Sequence, residues 1–421
     1  MNDPAAGQPG APPKSLLDRS DVRVAHATGI GGMIREFVGR VRSGDLGSLP
    51  VVVGLVIIWT VFTSLNPIFL SPNNLVNLLF DCSTVGVISL GIVCVLLLGE
   101  IDLSVGSMSG VGSALIGLLW VNKGVPLVAA IAVAILLGAA VGATYAVLRT
   151  RLGMPSFVST LSGLLALLGL QLYLLGSTGS INLPYGSDMV NFGQLLIMPT
   201  WISCSLALIP GLAALVMGVR KRRQRQAANL SSGSLGGVFV RAILLTIGLE
   251  AVIFYLNQGR GVPWMFGLFV LLVVNMNYAF TRTQWGRSMM AVGGNREAAR
   301  RSGIDVNRIY LSAFVTCGML AATGGVLSAA RLASASQQAG TGDVNLNAIA
   351  AAVIGGTSLF GGRGSAWSAL LGIIVIQSIA NGLTLLSLSS SFRYMITGGV
   401  LAIAVIVDSL ARQSRVSHGR A

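Results

Sequence analysis

The chain has 421 residues, of which 53% are hydrophobic and only 10% are charged, and its net charge is +14. A soluble protein carries about a quarter charged residues, whereas several apolar windows here approach or exceed the ~20 residues that cross a bilayer. The composition therefore excludes a soluble globular protein and predicts an all-α polytopic membrane protein, because these windows are too long and too continuously apolar for membrane β-barrel strands.

The N-terminal residues precede the apolar windows. Residues 1–29 are rich in Pro, Gly, Ala and charge, which predicts a disordered tail without the apolar stretch of a cleavable signal peptide. In residues 30–49, apolar side chains recur at helical spacing with arginines between them, which is typical of an amphipathic segment on the inner leaflet. An ordinary tail segment is an equal alternative for residues 30–49.

About twelve hydrophobic spans are predicted within residues 50–412, followed by a short tail at 413–421. The spans lie near 50–65, 74–98, 103–121, 125–148, 157–175, 201–219, 241–256, 263–281, 309–330, 345–358, 366–386 and 392–410. The span at 345–358 is short and weakly apolar, which indicates a half-helix or a broken helix.

Basic residues orient these spans. Lysine and arginine gather in the N-terminal tail, the 149–156 loop, the 220–225 run, the 285–308 loop and the C-terminal tail, whereas the 176–200 loop has none. The positive-inside rule then places both termini in the cytoplasm, and the same distribution argues against a nucleic-acid partner. A re-entrant 345–358 segment would instead move the C-terminus to the other side.

A polar interruption separates the second and third spans and reads E-I-D-L-S-V-G-S. Ionised groups at membrane depth are costly and face water or a partner, so this stretch offers candidates for a translocation pathway: Glu100, Asp102, Ser104 and Ser107. Two alternatives remain open, because both acids suit the inner headgroup region and Asp102 or Ser104 suits a helix cap. A later interruption, G-T-S-L-F-G-G-R-G-S, resembles the first, as in transporters built from two halves, although chance similarity explains it equally well in a chain with 54 glycines.

Further polar candidates lie in or beside other spans. Asp81 lies near one end of the second span and is either a pathway residue or a polar group that faces the bundle interior. The segment 339–365 adds four pathway candidates: Asn345, Asn347, Thr357 and Ser358. The two asparagine amides suit a neutral polyol, while the many glycines of this segment equally suit close helix packing and caps.

Residues for nucleotide, metal or His-based chemistry are missing from the sequence pattern. Only three lysines occur, and none completes a G-x-x-x-x-G-K-[ST] phosphate loop. The four cysteines lie in hydrophobic segments without metal-ligand spacing, and the two histidines lie in the tails. We therefore expect a non-catalytic chain that binds no cofactor or metal, so that any ATP-driven step requires a separate subunit.

A polar, basic stretch from Trp285 to Arg308 lies between two hydrophobic spans. Asn295 suits a helix N-cap, and Glu297 then lies in the first turn, where the helix dipole favours an anion. Ala298 and Ala299 favour helix, and Gly303 suits a left-handed C-cap. The pattern predicts a two-turn helix that is too short to be stable alone and must lie against something. An ordinary cytoplasmic loop that caps well is the alternative.

Three motif blocks resemble one family. E-A-A, three residues and then Gly resembles the coupling loop of bacterial ABC-importer permeases, and the preceding G-R-x-x-x-A-x-G-G-N narrows the resemblance to the ribose, galactose and xylose branch. The blocks G-x-I-D-L-S-V-G-S and A-I-A-A-x-V-I-G-G-T-S-L-x-G-G-x-G-S are similar to the same branch. An additional block at 200–257, followed by G-R-G-V-P, resembles the xylose permeases most, and the resemblance makes it a pair of spans inserted into about ten core helices.

The resemblance implies a permease subunit of an ATP-driven importer in the bacterial inner membrane, for a neutral monosaccharide with D-xylose expected. It implies three protein partners, which are an ABC ATPase that binds ATP and Mg²⁺, a periplasmic sugar-binding protein and a second copy of the chain. It also implies a set of ATPase-coupling residues: Gly294, Asn295, Glu297, Ala298, Ala299 and Gly303. The alternatives are an ion-coupled secondary transporter and a superfamily permease for another sugar or branched-chain amino acids.

Overall fold

A computed structural model of the chain describes residues 49–230 and 234–389, together with 391–392, 394–399, 402 and 406. The predicted tail 1–29, nearly all of the amphipathic segment 30–49, most of the span 392–410 and the tail 413–421 lie outside the described residues.

The described residues are mostly helical. The helices are α1 Leu49–Leu65, α2 Pro72–Leu96, α3 Val105–Leu115, α4 Leu127–Arg151, α5 Ser156–Leu175, α6 Asp188–Gln194, α7 Thr200–Ala227, α8 Leu235–Asn257, α9 Trp264–Arg282, α10 Gln284–Gly294, α11 Arg296–Arg301, α12 Val306–Leu332, α13 Val344–Ile354 and α14 Ala366–Leu385. A π-helical turn, Ile116–Asn122, extends α3, and short 3-10 helices occupy Pro67–Leu70 and Gly176–Thr178. Two strands, β1 Ser180–Asn182 and β2 Ser334–Ser336, pair antiparallel.

Nine helices within the described residues are long and apolar enough to cross a membrane, and α1 and α13 are shorter apolar helices. The chain is thus an all-α polytopic membrane protein, as the composition predicts. Two sequence-based boundaries are wrong. The basic run 220–225 continues α7 instead of forming a loop, and α10 adds a three-turn helix to the 285–308 stretch, where only one short helix was expected.

Helix α2 forms the centre of the core. Every residue from Cys82 to Leu96 is buried, because α9, α12, α13 and α14 all pack against this helix. Small residues let α12 approach α4 closely: Gly138 and Gly142 face the backbone of Gly318 and Phe314, with no room for a Cβ atom. Such small-x-x-x-small contacts replace the hydrophobic driving force that lipid-exposed helices lack.

The chain after α12 turns back into the bundle. Strand β2 pairs with β1, and Gln171 of α5 donates to the carbonyls of Ser336 and Ala339 at 2.9 and 2.8 Å. Helix α13 follows with only 11 residues, about 16 Å at 1.5 Å per residue. It is therefore much shorter than a full crossing of the ~30 Å hydrocarbon core, which agrees with the prediction of a half-helix or broken helix at 345–358.

Residues Trp201–Phe254 form a compact unit of their own by backbone contacts. Within this unit α7 and α8 pack together, and Gly211 and Gly218 of α7 lie against Thr246 and Val238 of α8 with no room for a Cβ atom. The second unit, Leu46–Thr200 with Tyr255–Ala421, contains all the candidate site residues.

Candidate coupling and translocation site

The predicted caps of the short helix α11 are confirmed. The Asn295 side chain accepts a hydrogen bond from the backbone N–H of Ala298 at 2.9 Å. At the other end Gly303 has a φ of 83°, and the N–H groups of Gly303 and Ile304 donate to the carbonyls of Arg300 and Ala299. This is the Schellman pattern, which satisfies the last carbonyls of a helix and favours glycine in the left-handed position. The caps therefore fix a six-residue helix that propensity alone would not maintain.

Helix α11 attaches to the protein along one side only. Ala299 is 4% exposed, whereas the side chains of Glu297 and Arg300 are 60% and 74% exposed. Glu297 lies 3.6 Å from Arg301 within the same helix, a surface pair that contributes little to stability. The outward side of α11 thus presents a charged, preformed surface to the surroundings.

The α10–α11 junction contacts both polar interruptions of the membrane bundle. Gly293 lies so close to the Leu97 carbonyl and the Gly362 N–H that a Cβ atom has no room there. Gly362 also donates its N–H to the Leu97 carbonyl at 2.9 Å. The two polar interruptions, which resemble each other in sequence, therefore meet, and the junction before α11 packs on both.

Glu100 lies in the first interruption and is 8% exposed. Arg149 Nε, at the end of α4, donates to Glu100 Oε1 at 2.7 Å, and the Tyr310 hydroxyl of α12 donates to the same oxygen at 2.9 Å. Ser156, at the start of α5, donates to the other carboxylate oxygen. Buried charges are rare unless they are paired and hydrogen-bonded, and this carboxylate meets both conditions. Glu100 thus joins the ends of three helices to the interruption.

Asp102 and Ser104 form a local hydrogen-bonded turn. The Asp102 carboxylate, 1% exposed, accepts from the Ser104 N–H at 2.8 Å and the Ser104 hydroxyl at 2.7 Å, just before α3 begins. Ser107 is also buried, at 3% exposed. Ser104 occupies the N-cap position of α3 but makes no side-chain capping hydrogen bond, so neither alternative candidate caps this helix. The Asp102 carboxylate instead closes a local turn that leads the chain into α3. Asn345 also acts at this turn, because its side-chain oxygen accepts the Gly106 N–H.

Asp81 belongs to a different region, about 20 Å along α2 from its Leu96 end. Arg331 Nε donates to Asp81 Oδ1 at 2.8 Å, and the Asp81 side chain is 41% exposed. The guanidinium groups of Arg331 and Arg260 lie 5.0 and 5.9 Å from the Phe80 ring centre. Desolvation lowers the pKa of Arg260, in the α8–α9 loop, and the nearby Arg331 charge adds to this shift.

The remaining candidates lie on and after α13. Asn347 and Thr357 are 6% and 1% exposed, and neither Asn347 Oδ1 nor Thr357 Oγ1 has a hydrogen-bond partner among the described residues. The Ser358 hydroxyl accepts from the Phe360 N–H at 3.2 Å. Two of these polar groups thus retain unused hydrogen-bonding capacity within the apolar bundle.

Four residues of these clusters were not predicted from the sequence: Arg149, Arg296, Tyr310 and Arg331. Arg149 and Arg296 were predicted only to contribute to the orienting charge of the 149–156 and 285–308 loops. A basic residue at a helix end, in a chain with a buried acid at another helix end, is the signal that could have indicated the Arg149 pair.

Comparisons with known proteins show that the chain is similar to membrane permeases. The model of the branched-chain amino acid transport system / permease component family matches residues 74–405. The chain is 36% identical to the xylose transport system permease protein of Escherichia coli K12 over 405 residues, 95% of this chain and 99% of that protein. It is 33% identical to the Haemophilus influenzae Rd xylose transport system permease over 88% of this chain and 98% of that protein. It is 31% identical to the ribose import permease of E. coli K12 over 85% of this chain and 92% of that protein. No solved structure matches the chain significantly.

Proposed function

The chain belongs to the branched-chain amino acid transport system / permease component family, and we propose that it is the membrane-spanning permease subunit of an ATP-driven importer for D-xylose or a closely related neutral monosaccharide. The observation that carries this proposal is the 36% identity to a xylose permease over nearly the whole of both chains. Permeases of this kind are multi-pass inner-membrane proteins without catalytic residues of their own. The same similarity disfavours an ion-coupled secondary transporter.

The partners follow from this assignment. A separate ATPase holds ATP and Mg²⁺ and docks on the exposed side of α11, while a periplasmic sugar-binding protein delivers the sugar to the opposite face. A second copy of the chain completes the membrane channel. Both termini and α11 lie in the cytoplasm, which the excess of arginine in the loops on that side favours.

Two groups of polar residues have different roles in this proposal. Asp81 with Arg331, and the unpaired side-chain oxygens of Asn347 and Thr357, are the candidates for sugar contacts. A neutral polyol offers hydroxyl groups that suit amide and hydroxyl partners. Glu100, Asp102 and Ser104 are occupied by hydrogen bonds to the protein and hold the backbone instead.

Labelled-sugar uptake tests the function. The chain is expressed with its ATPase and sugar-binding protein in cells that lack other pentose transporters, and uptake of xylose, ribose and galactose is compared. We expect xylose uptake that requires the ATPase and persists when a protonophore removes the proton gradient while ATP is maintained. Uptake of ribose but not xylose would show that ribose is the substrate. Uptake without the ATPase would contradict the proposal that the chain is a subunit of an ATP-driven importer.

A further inference from the structure

The contacts of Tyr310 extend from Glu100 to the coupling helix. The guanidinium of Arg296, the first residue of α11, lies 5.1 Å from the centre of the Tyr310 ring, and that of Arg149 lies 5.8 Å from it. The hydroxyl of the same tyrosine donates to Glu100. A guanidinium within about 6 Å of an aromatic ring is attracted by the ring's quadrupole. Side-chain contacts therefore lead from α11 through Tyr310 to residue 100.

A backbone contact leads to the same place. Gly293, three residues before α11, packs directly on the Leu97 carbonyl, and no Cβ atom fits between them. Gly99 has a φ of 74° and lies against the Phe360 carbonyl, where a Cβ atom would be 3.2 Å away. The side-chain contacts and this backbone contact both end within residues 97–100, on the interruption between α2 and α3.

We propose that residues 97–104 receive the motion of α11, and that Tyr310 and Glu100 are the positioning residues through which this motion reaches the membrane bundle. The inference rests on the proposed function, because it assumes that an ATPase moves α11. Residues 97–104 connect α2, the centre of the core, to α3. A displacement of this short connection therefore shifts the relative position of two buried helices.

Substitutions in this cluster should have different effects if the cluster only stabilises the fold and if it transmits the motion of α11. Loss of a structural contact lowers the amount or the thermal stability of the protein, and it lowers uptake and ATP hydrolysis together. Loss of a coupling contact leaves ATP hydrolysis in place and lowers the sugar imported per ATP hydrolysed. The ratio of the two rates separates these roles.

The experiment uses the permease, ATPase and sugar-binding protein reconstituted together in proteoliposomes. Tyr310→Phe removes the hydroxyl that donates to Glu100 and keeps the ring. Arg296→Gln removes the cation from the exposed end of the contact path, and Arg296→Lys keeps it. Arg308→Gln is the matched control, because this arginine is 86% exposed and pairs with Asp305, three residues before it in the chain.

We expect xylose imported per ATP to fall about tenfold in Tyr310→Phe, since hydrogen bonds to charged groups are strong. It should fall about threefold in Arg296→Gln, in the range of a partly exposed cation–π contact. Arg296→Lys and Arg308→Gln should retain the wild-type ratio.

The outcomes separate the two proposals. One outcome is that the wild type couples ATP hydrolysis to uptake while Tyr310→Phe and Arg296→Gln import as much xylose per ATP as the wild type. In that case the positioning role of Tyr310 and Glu100 is wrong and the proposed function stands. If Tyr310→Phe fails to fold, the comparison of Arg296→Gln with Arg296→Lys decides, because this side chain lies at the surface. If the wild type imports no sugar with ATP, the proposed function fails and this inference fails with it.

Discussion

Glycine determines how closely α4 and α12 approach each other. Gly142 lies against the Phe314 carbonyl with no room for a Cβ atom. Around Gly169 of α5, by contrast, no described residue outside its own stretch of helix comes within 4 Å of the position where a Cβ would lie. Both glycines lie in the middle of apolar helices. They therefore form a matched pair in which the same substitution has opposite expected effects.

The Gly142→Ala variant should lower the free energy of unfolding by about 1–3 kcal/mol, the usual cost of overpacking a well-packed contact. Gly169→Ala should leave stability unchanged or raise it slightly, because alanine is the better helix former. The midpoint of thermal denaturation in detergent measures both effects. Equal midpoints for the two variants would contradict the close α4–α12 packing.

Residue roles were predictable where the signal is local. Asn295 and Gly303 were identified as caps because each bonds to backbone groups within a few positions of itself. The Glu100 cluster was not identified, because Tyr310 and Arg149 lie far from residue 100 in sequence and only the packing of three helices brings them together. The pathway role of Glu100 stays a prediction, and its carboxylate oxygens accept hydrogen bonds from Arg149, Ser156 and Tyr310.

At the scale of elements, the stability of the helix α11 depends on the caps at its two ends. It has six residues, fewer than an isolated helix needs to persist in water. Its caps and the buried Ala299 hold it in shape before any partner arrives. A partner that binds this helix consequently avoids most of the entropic cost of ordering it.

The Asn295→Ala variant should weaken ATPase binding about fivefold, since loss of an N-cap costs about 1 kcal/mol of helix stability. Asn295→Asp should bind like the wild type, because aspartate caps as well and its charge suits the helix N-terminus. Titration of the reconstituted permease with labelled ATPase gives the two dissociation constants. Equal weakening by both substitutions would show that capping is not the cause.

Other elements show where sequence patterns fail. The predicted span 201–219 ended before the basic run 220–225, because charged residues usually lie outside the membrane. The helix α7 nevertheless continues through this run, since a helix that extends into water also accommodates charged side chains. Strands β1 and β2 were not predicted, because each has three residues and pairs with a partner more than 150 positions away. The short α13 was predicted, since its apolar run is brief, contains two asparagines and is followed by Gly355 and Gly356.

At the scale of the whole molecule, the proposed orientation assigns the two ends of the bundle to opposite compartments. Tyr185 lies between β1 and α6 and is 91% exposed, and Ser302 follows α11 and is also exposed. The proposal places Tyr185 outside and Ser302 in the cytoplasm. Of the four native cysteines, Cys82, Cys94 and Cys317 are buried.

A Tyr185→Cys variant should react with a membrane-impermeant maleimide in intact spheroplasts. Ser302→Cys should react only after permeabilisation. The unsubstituted chain is the control for the native cysteines. Labelling of Ser302→Cys in intact spheroplasts would contradict the orientation.

The measurement that tests the central claim most directly compares the wild type with a variant that carries both Glu297→Arg and Gly303→Pro. These substitutions change the charged surface of α11 and remove the glycine from its left-handed C-cap. The account predicts that the variant reaches the membrane but no longer co-purifies with the ATPase and no longer takes up labelled xylose. Uptake that persists without any ATPase and collapses with a protonophore would show a secondary carrier and contradict the account.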